Sequence, residues 1–556
     1  MPKKKQFLQA SAKQAARGKK KEPEPETEDD FLDAADEFEK SAGKWRAGDA
    51  AKSARFFQRA VDAYSAGLQK FPLSFDLAYN KALLEYQIAQ DLRIAAQIGP
   101  PLVDLLRQAL ESHRFAISLN PDNLDILFNT ANVLSDLADR VNKGEAVPLL
   151  QESVQCIRRC LERQVQEYES LQAAFLAANS GNQDAPAEAI PPSAQTPSLG
   201  SSAEEYANVE EAVTESAILD SVFFMANTLA DLLGVMPAED LDAIAKDVET
   251  VVGFFTSGAL QPYFEKLDRT VPEPAQPSEH DSAIAESALA QARLFSTISE
   301  AEFRRGERSA ASWYATVLAK FAAITDDDAN TTTTTSLPDP ADARSALIDA
   351  LSALATATAP PADAQAESAY LNQAPSTQEG ADDGDASSTD PGAPAPAAAL
   401  HEATDAAAVH ADALKRAYHV LTTTLSSSVS SPAAADKAPQ LYIALGDVHW
   451  RLRGAVPGGA GSVAAAVAQA RRAERCWEEA ERRARAVGVQ CAEEEVEARG
   501  KRGVSAVLRG GGIGGGGGEE AREVVVQAVQ EMREDELLSD LLAGHVLKML
   551  GAAAAV

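Results

Sequence analysis

Cysteine, histidine and aromatic side chains are all scarce in this chain, and each scarcity removes a class of function. Four cysteines (Cys156, Cys160, Cys476 and Cys491) in 556 residues are too few for a disulfide-stapled scaffold, and they point to a reducing compartment. The seven histidines are scattered, and none stands in an HExxH, HxE or comparable arrangement, so no metal motif is present. Cys156 and Cys160 lie four residues apart without a second Cys or His pair at ligand spacing, which makes them small helix-packing residues rather than metal ligands. No apolar run approaches the ~20 residues that cross a bilayer, and the N-terminal stretch lacks the hydrophobic core of a signal sequence. The glycine run 510–518 lacks the Lys-Ser/Thr end of a phosphate loop. Aromatic residues make up only 6% of the chain, against 45% for all hydrophobic residues. Much of the difference is alanine, which favours helix but buries little area, so shallow repeated helix packing suits this composition better than one large core.

What is abundant is negative charge. The formal net charge is −32, yet residues 1–21 hold eight Lys or Arg and no acid, leaving about −40 on the remainder. Such a body repels phosphate and attracts basic partners with salt-sensitive steering. The Lys clusters Lys3 to Lys5 and Lys19 to Lys21 match a two-part nuclear localisation signal as well as a solvated tail. A cytoplasmic or nuclear location is therefore expected.

Between residues 31 and 176 the apolar positions recur at intervals of three and four, as helices packing on one face require. Ala60, Tyr64 and Gly67 precede Pro72, and Ala109, His113 and Ala116 precede Pro121 at the same offsets. In each set two small residues admit a neighbouring helix, a ring fills the space between them, and a proline stops the helix. The helices that follow also correspond, Asn80 with Asn129 and Ala82 with Ala131. Further on, Gly446 takes the small position in LYIALGDVHW.

This pattern resembles the tetratricopeptide repeat family. The two prolines lie further apart than that family's ~34-residue period, which places a looped-out insertion around Gln90 to Pro101. The resemblance implies an all-α fold, a superhelix of antiparallel helix pairs with long disordered insertions. The expected organisation is a basic-to-acidic disordered tail (1–28), a repeat domain (29–178), a linker (179–205), further helix pairs (206–325), a second linker (326–340) and a helix (341–358). A low-complexity insertion (359–397), C-terminal repeat-like helices (398–508), a Gly-rich linker (509–518) and terminal amphipathic helices (519–556) complete it.

In the family, first helices line a concave groove, and an asparagine at the sixth place bonds the backbone of an extended peptide. Asn80 and Asn129 match that place and Asn132 lies beside it; an amide donates and accepts at once, which suits an unpaired peptide backbone. Ordinary exposed polar residues or local caps are the alternative. Asp125 and Asn129 occupy positions where the branch that clamps chaperone C-termini carries basic groups, and an acid there repels a carboxylate ligand. The Arg-rich helix RRAERCWEEAERRARAVG is explained by intrahelical pairs with its glutamates. No cofactor, nucleic acid, membrane or catalytic residue is expected. The function implied is non-catalytic: an adaptor or escort chaperone that holds a peptide or a basic client protein. A scaffold subunit of a larger assembly and an enzyme with an unrecognised site are the alternatives.

Overall fold

The computed structural model describes residues 25–180, 212–270, 277–325, 340–359, 406–428, 437–454, 462–488, 491–508 and 519–534, with a few positions between 537 and 550. The Lys clusters, the 509–518 linker and most of the expected linkers and insertions lie outside the described residues. Among the described residues the chain is all-α: eighteen α-helices, one 3-10 helix and no strand. Two compact units divide between Pro121 and Asp122, inside the expected 29–178 domain.

The first unit holds α1 (Glu28–Trp45), α2 (Ala50–Lys70), α3 (Phe75–Gln90), α4 (Leu92–Ile98) and α5 (Leu102–Leu119). Their starts are set by side chains that accept an otherwise orphaned N–H: Thr27 for α1, Asp49 for α2, Ser74 for α3 and Asp91 for α4. The ends of α2 and α5 fall just before Pro72 and Pro121. Helices α1 and α2 pair antiparallel, since Tyr64 donates to Glu39 at 2.6 Å while Lys70, at the end of α2, reaches the Pro25 carbonyl ahead of α1. The α3/α5 pair is built the same way, with Lys81 on Ser112 and Gln108 on Glu85. The expected loop between Gln90 and Pro101 is instead mostly helix. Helix α4 buries Ile94 and Ala95, packs on α2 and α3, and ends at Gly99 with φ at 113°. Two buried apolar side chains give the insertion a reason to dock rather than to loop out.

The second unit begins with α6 (Leu124–Ala138), α7 (Lys143–Ser180) and α8 (Glu215–Val235). A 3-10 turn (Ala238–Ile244), α9 (Ala245–Thr256) and the short α10 (Gln261–Phe264) lead to α11 (Glu279–Arg304) and α12 (Ala310–Thr325). Next come α13 (Pro340–Ala357), α14 (Ala406–Ser428), α15 (Ala438–Gly454), α16 (Ser462–Val487), α17 (Ala492–Leu508) and α18 (Glu519–Glu534). Helix α8 is long and apolar enough to cross a membrane by length and composition, contrary to the expectation from its sequence. Here it is a core helix that packs on α7 and α11 and buries twelve of its residues.

The small-ring-small pattern has a common physical basis in both units. Ala60, Tyr64 and Gly67 on α2, and Ala109, His113 and Ala116 on α5, are all buried. They pack toward Ala35 on α1 and Ala82 on α3, each fully buried. The same offsets recur in the α6/α7 pair, where Ser153, Ile157 and Cys160 are buried and Ser153 donates to the carbonyl of Ala131. They recur again in α15/α16, where Ala473, Trp477 and Ala480 are fully buried against Gly446. A Cβ added at Gly446 would sit 2.3 Å from the Trp477 indole nitrogen, and one at Gly67 2.9 Å from Leu77 and 3.0 Å from Phe31.

Because the indole is rigid and held by a hydrogen bond to Asp447, Gly446→Ala is expected to destabilise the protein by about 1–3 kcal/mol through overpacking. Ala116→Trp is expected to damage folding of the α3/α5 pair in the same way. Thermal melts unchanged by both substitutions would contradict the register.

Candidate functional site

Helix α8 presents Asp220, Asn227 and Asp231 at intervals of seven and four, and α11 presents Glu279, Glu286, Arg293 and Glu300 at intervals of seven. Both spacings hold side chains on one helix face. The two helices run parallel: Asp220 lies beside Glu279 and Glu286, Arg293 reaches Asn227 and Asp231, and Arg304 reaches the last carbonyls of α8. Helix α6 joins this face through Phe128, 5.7 Å from Phe224 of α8, and through Asp139 near Asp231. Helix α13 adds Asp349, close to Asp231 and Arg293.

The result is a surface carrying five carboxylates, each within electrostatic reach of a neighbour, with Arg293 beside Asp231 and Asp349 and Arg140 beside Asp139. Arg293 donates to Asn227 Oδ1 at 3.0 Å and to Asp231 Oδ1 at 2.9 Å. Asp139, Asp220, Glu286 and Asp349 remain exposed to solvent, and Asp231 is half-buried. All five are nevertheless held above the usual carboxylate range. The first cause is desolvation by surrounding protein; like charges add to it at Asp220 (from Glu279), Glu286 (from Asp220), Asp139 (from Asp231 and Asp136) and Asp231 (from Asp349). Arg293 opposes the shift at Asp231 and Asp349. On such a partly desolvated surface an added cation gains more than it would beside fully solvated carboxylates.

The asparagines named from the sequence are placed as follows. Asn80, on α3 of the first unit, donates to the carbonyl of Asp76 one turn earlier at 2.8 Å, and Asn132 on α6 donates likewise to Phe128 at 3.0 Å. These are local back-bonds, and each leaves the amide oxygen and a second N–H for other partners. Asn129 and Asn132 share an α6 stripe with Asp125, Asp136 and Asp139, so they border the carboxylate surface. Asn80 belongs to the other unit.

The repeat-packing residues Ala60, Tyr64, Gly67, Ala82, Ala109, His113, Ala116, Ala131 and Gly446 are buried, whereas Pro72 and Pro121 cap helix ends at the surface. His113 donates from Nδ1 to the Ala109 carbonyl at 2.8 Å and meets Tyr86 edge-on, and burial lowers its pKa. Cys160 is buried, its thiol pushed up to about 12 by desolvation, with Sγ 3.6 Å from the Leu124 carbonyl. That environment makes an inert packing residue. Among the described residues no group of three or more His, Cys, Asp or Glu side chains is arranged to hold a metal ion.

No family model matches the chain. A stretch of 145 residues is 30% identical to the UPF0656 protein C926.02 of Schizosaccharomyces pombe. The match covers 25% of this chain and 32% of that relative, so it spans about a third of the relative's length. The relative's name describes no activity.

Raised carboxylate pKa values mean that the folded state takes up protons more readily than the unfolded chain. Stability from this face therefore rises as pH falls through the raised values and is lost as pH climbs above them. Lowering the pH from about 7 to about 5.5 is expected to leave the melting temperature of the second unit unchanged or higher. Arg293→Met, which leaves Asp231 and Asp349 without their shared cation, is expected to cost about 1 kcal/mol at neutral pH after solvent screening, and less at the lower pH. An equal cost at both values would show that these carboxylates do not titrate as described.

Proposed function

We propose that this protein is a non-catalytic adaptor or escort chaperone of the tetratricopeptide-repeat type, holding a basic client segment along a helical-repeat groove. The observation that carries the reading is the face of α6, α8, α11 and α13, where Asp139, Asp220, Asp231, Glu286 and Asp349 crowd together and only partly meet the charge of Arg293 and Arg140. A crowded, partly desolvated set of carboxylates is an unfavourable arrangement for the free protein, and Lys or Arg side chains from a ligand relieve it. Asn129 and Asn132 at the margin supply amide groups for the backbone of an extended segment. The repeated small-ring-small register supports the family resemblance, because it is the packing that brings such helices close enough to form a shared surface. The net charge of −32 adds long-range attraction for the same class of partner.

A cytoplasmic or nuclear location is part of the proposal. A scaffold subunit, the second reading, has no specific observation in its favour.

Two measurements test the proposal. Affinity capture followed by mass spectrometry, run at low and at moderate salt, is expected to recover basic proteins that are lost as salt rises; their absence at low salt rejects escorting. For an identified client, Asp231→Asn with Asp349→Asn is expected to weaken binding at least tenfold. Asn129→Ala with Asn132→Ala is expected to weaken it by about 1–3 kcal/mol, and unchanged affinity removes those two asparagines from the site.

A further inference from the structure

Most cations of the C-terminal helices have a carboxylate partner. On the second half of α16, Arg482 and Arg483 pair with Glu479, and Arg485 pairs with Glu481 and Glu495. On α17, Arg499 pairs with Glu495, Arg502 with Glu481, and Lys501 with Asp447 and Glu497. The first half of α16 is different. Arg471, Arg472 and Arg475 have no ion-pair or hydrogen-bond partner among the described residues, although Glu474 shares the same stretch.

Their spacing places the three guanidinium groups on neighbouring rows of one helix face, over about 6 Å of helix length. Arg471 and Arg475 are exposed and Arg472 is half-buried. The ground beneath them is a buried ring, His449, whose Nδ1 lies 2.9 Å from Gln469 Oε1. An amide oxygen only accepts, so Nδ1 carries a proton and donates it to Gln469. Burial, with Arg472 and Arg475 adding to it, presses the His449 pKa down to about 4. The ring therefore adds no further cation and supplies no counter-charge. Tyr418 of α14 also meets the ring edge-on, at 5.3 Å.

We infer that this arginine cluster is a second docking surface, opposite in sign to the carboxylate face, and that it takes a short acidic segment of a partner protein. Two features favour a peptide over a nucleic acid. The cluster is matched by two or three carboxylates in an extended chain, which rises ~3.3 Å per residue, whereas a longer polyanion would run on over a protein of strongly negative charge. His449 and the neighbouring Trp477 are buried and offer no face for base stacking. The inference does not rest on the basic-client reading, and the probe that tests it carries the opposite charge.

The experiment is fluorescence anisotropy of the full chain with a labelled octapeptide of alternating Asp and Glu. Saturable, salt-sensitive binding is expected, weakened at least tenfold by Arg472→Glu with Arg475→Glu and retained within about threefold by Arg472→Lys with Arg475→Lys. Charge reversal at Arg55 and Arg107 in the first unit controls for net charge and is expected to change affinity less than twofold. The inference is overturned by absent binding, by an equal loss in the control, or by a twelve-nucleotide single strand that binds more tightly with the same arginine dependence. If the Glu variant fails to fold, the octapeptide titrated against wild type and the Lys variant across salt concentrations still decides: no salt dependence overturns the proposal.

Discussion

The approach distance between paired helices governs this molecule. In four of the helix pairs one helix contributes a residue without bulk and the other closes over it with a larger side chain: Ala35 and Ala82 in the first unit, Ala131 and Gly446 in the second. Alanine-rich helices have little apolar area to give up to each other, so close approach has to replace size, and many short-range contacts accumulate in place of a few large buried rings. The Gly446–Trp477 contact is the extreme case, in which even a methyl group has no room. The polar features discussed above are consequences of this closeness. Asp231 meets Arg293, and Asp447 meets Trp477 and Lys501, where a long side chain spans to a short carboxylate on the neighbouring helix.

Charge then divides the labour among these helices. The chain is strongly acidic, but the carboxylates are not spread evenly. Around α16 and α17 they are consumed by arginines and lysines, while on α6, α8, α11 and α13 they crowd one another, opposed by Arg293 and Arg140. Intrahelical pairing neutralises the former and lends it local rigidity. Crowding leaves the latter in want of cations. A surface of one sign and an arginine cluster of the other on the same unit suit a protein that handles more than one partner.

Much of the architecture was legible in the sequence, because the packing rule leaves a direct trace. Alanine and glycine at fixed offsets around Tyr64 and His113, each followed by a proline, cannot easily arise without helix pairs. The third copy, Ser153, Ile157 and Cys160, escaped that reading because the slots demand volume rather than identity: serine and cysteine are small, and isoleucine fills the space of a ring. Helix α4 was hidden for a related reason, since a length mismatch looks like a loop until Ile94 and Ala95 find α2. The carboxylate face was harder still. Asp139, Asp231 and Asp349 come from three separate helices, and only their fold brings them together. A trace did exist in the heptad run Glu279, Glu286, Arg293 and Glu300, which repeats a charged position along one side of α11.

The buried contact of Asp447 with Lys501 carries a consequence for synthesis. Trp477 and Lys501 both bond this carboxylate, the lysine across 54 residues of chain. A ribosome adding roughly 5–20 residues per second delivers Lys501 several seconds after Asp447 has emerged. Until then the half-buried carboxylate of Asp447 meets Trp477 alone, so the α15/α16 pair gains its balancing cation only once α17 has been made.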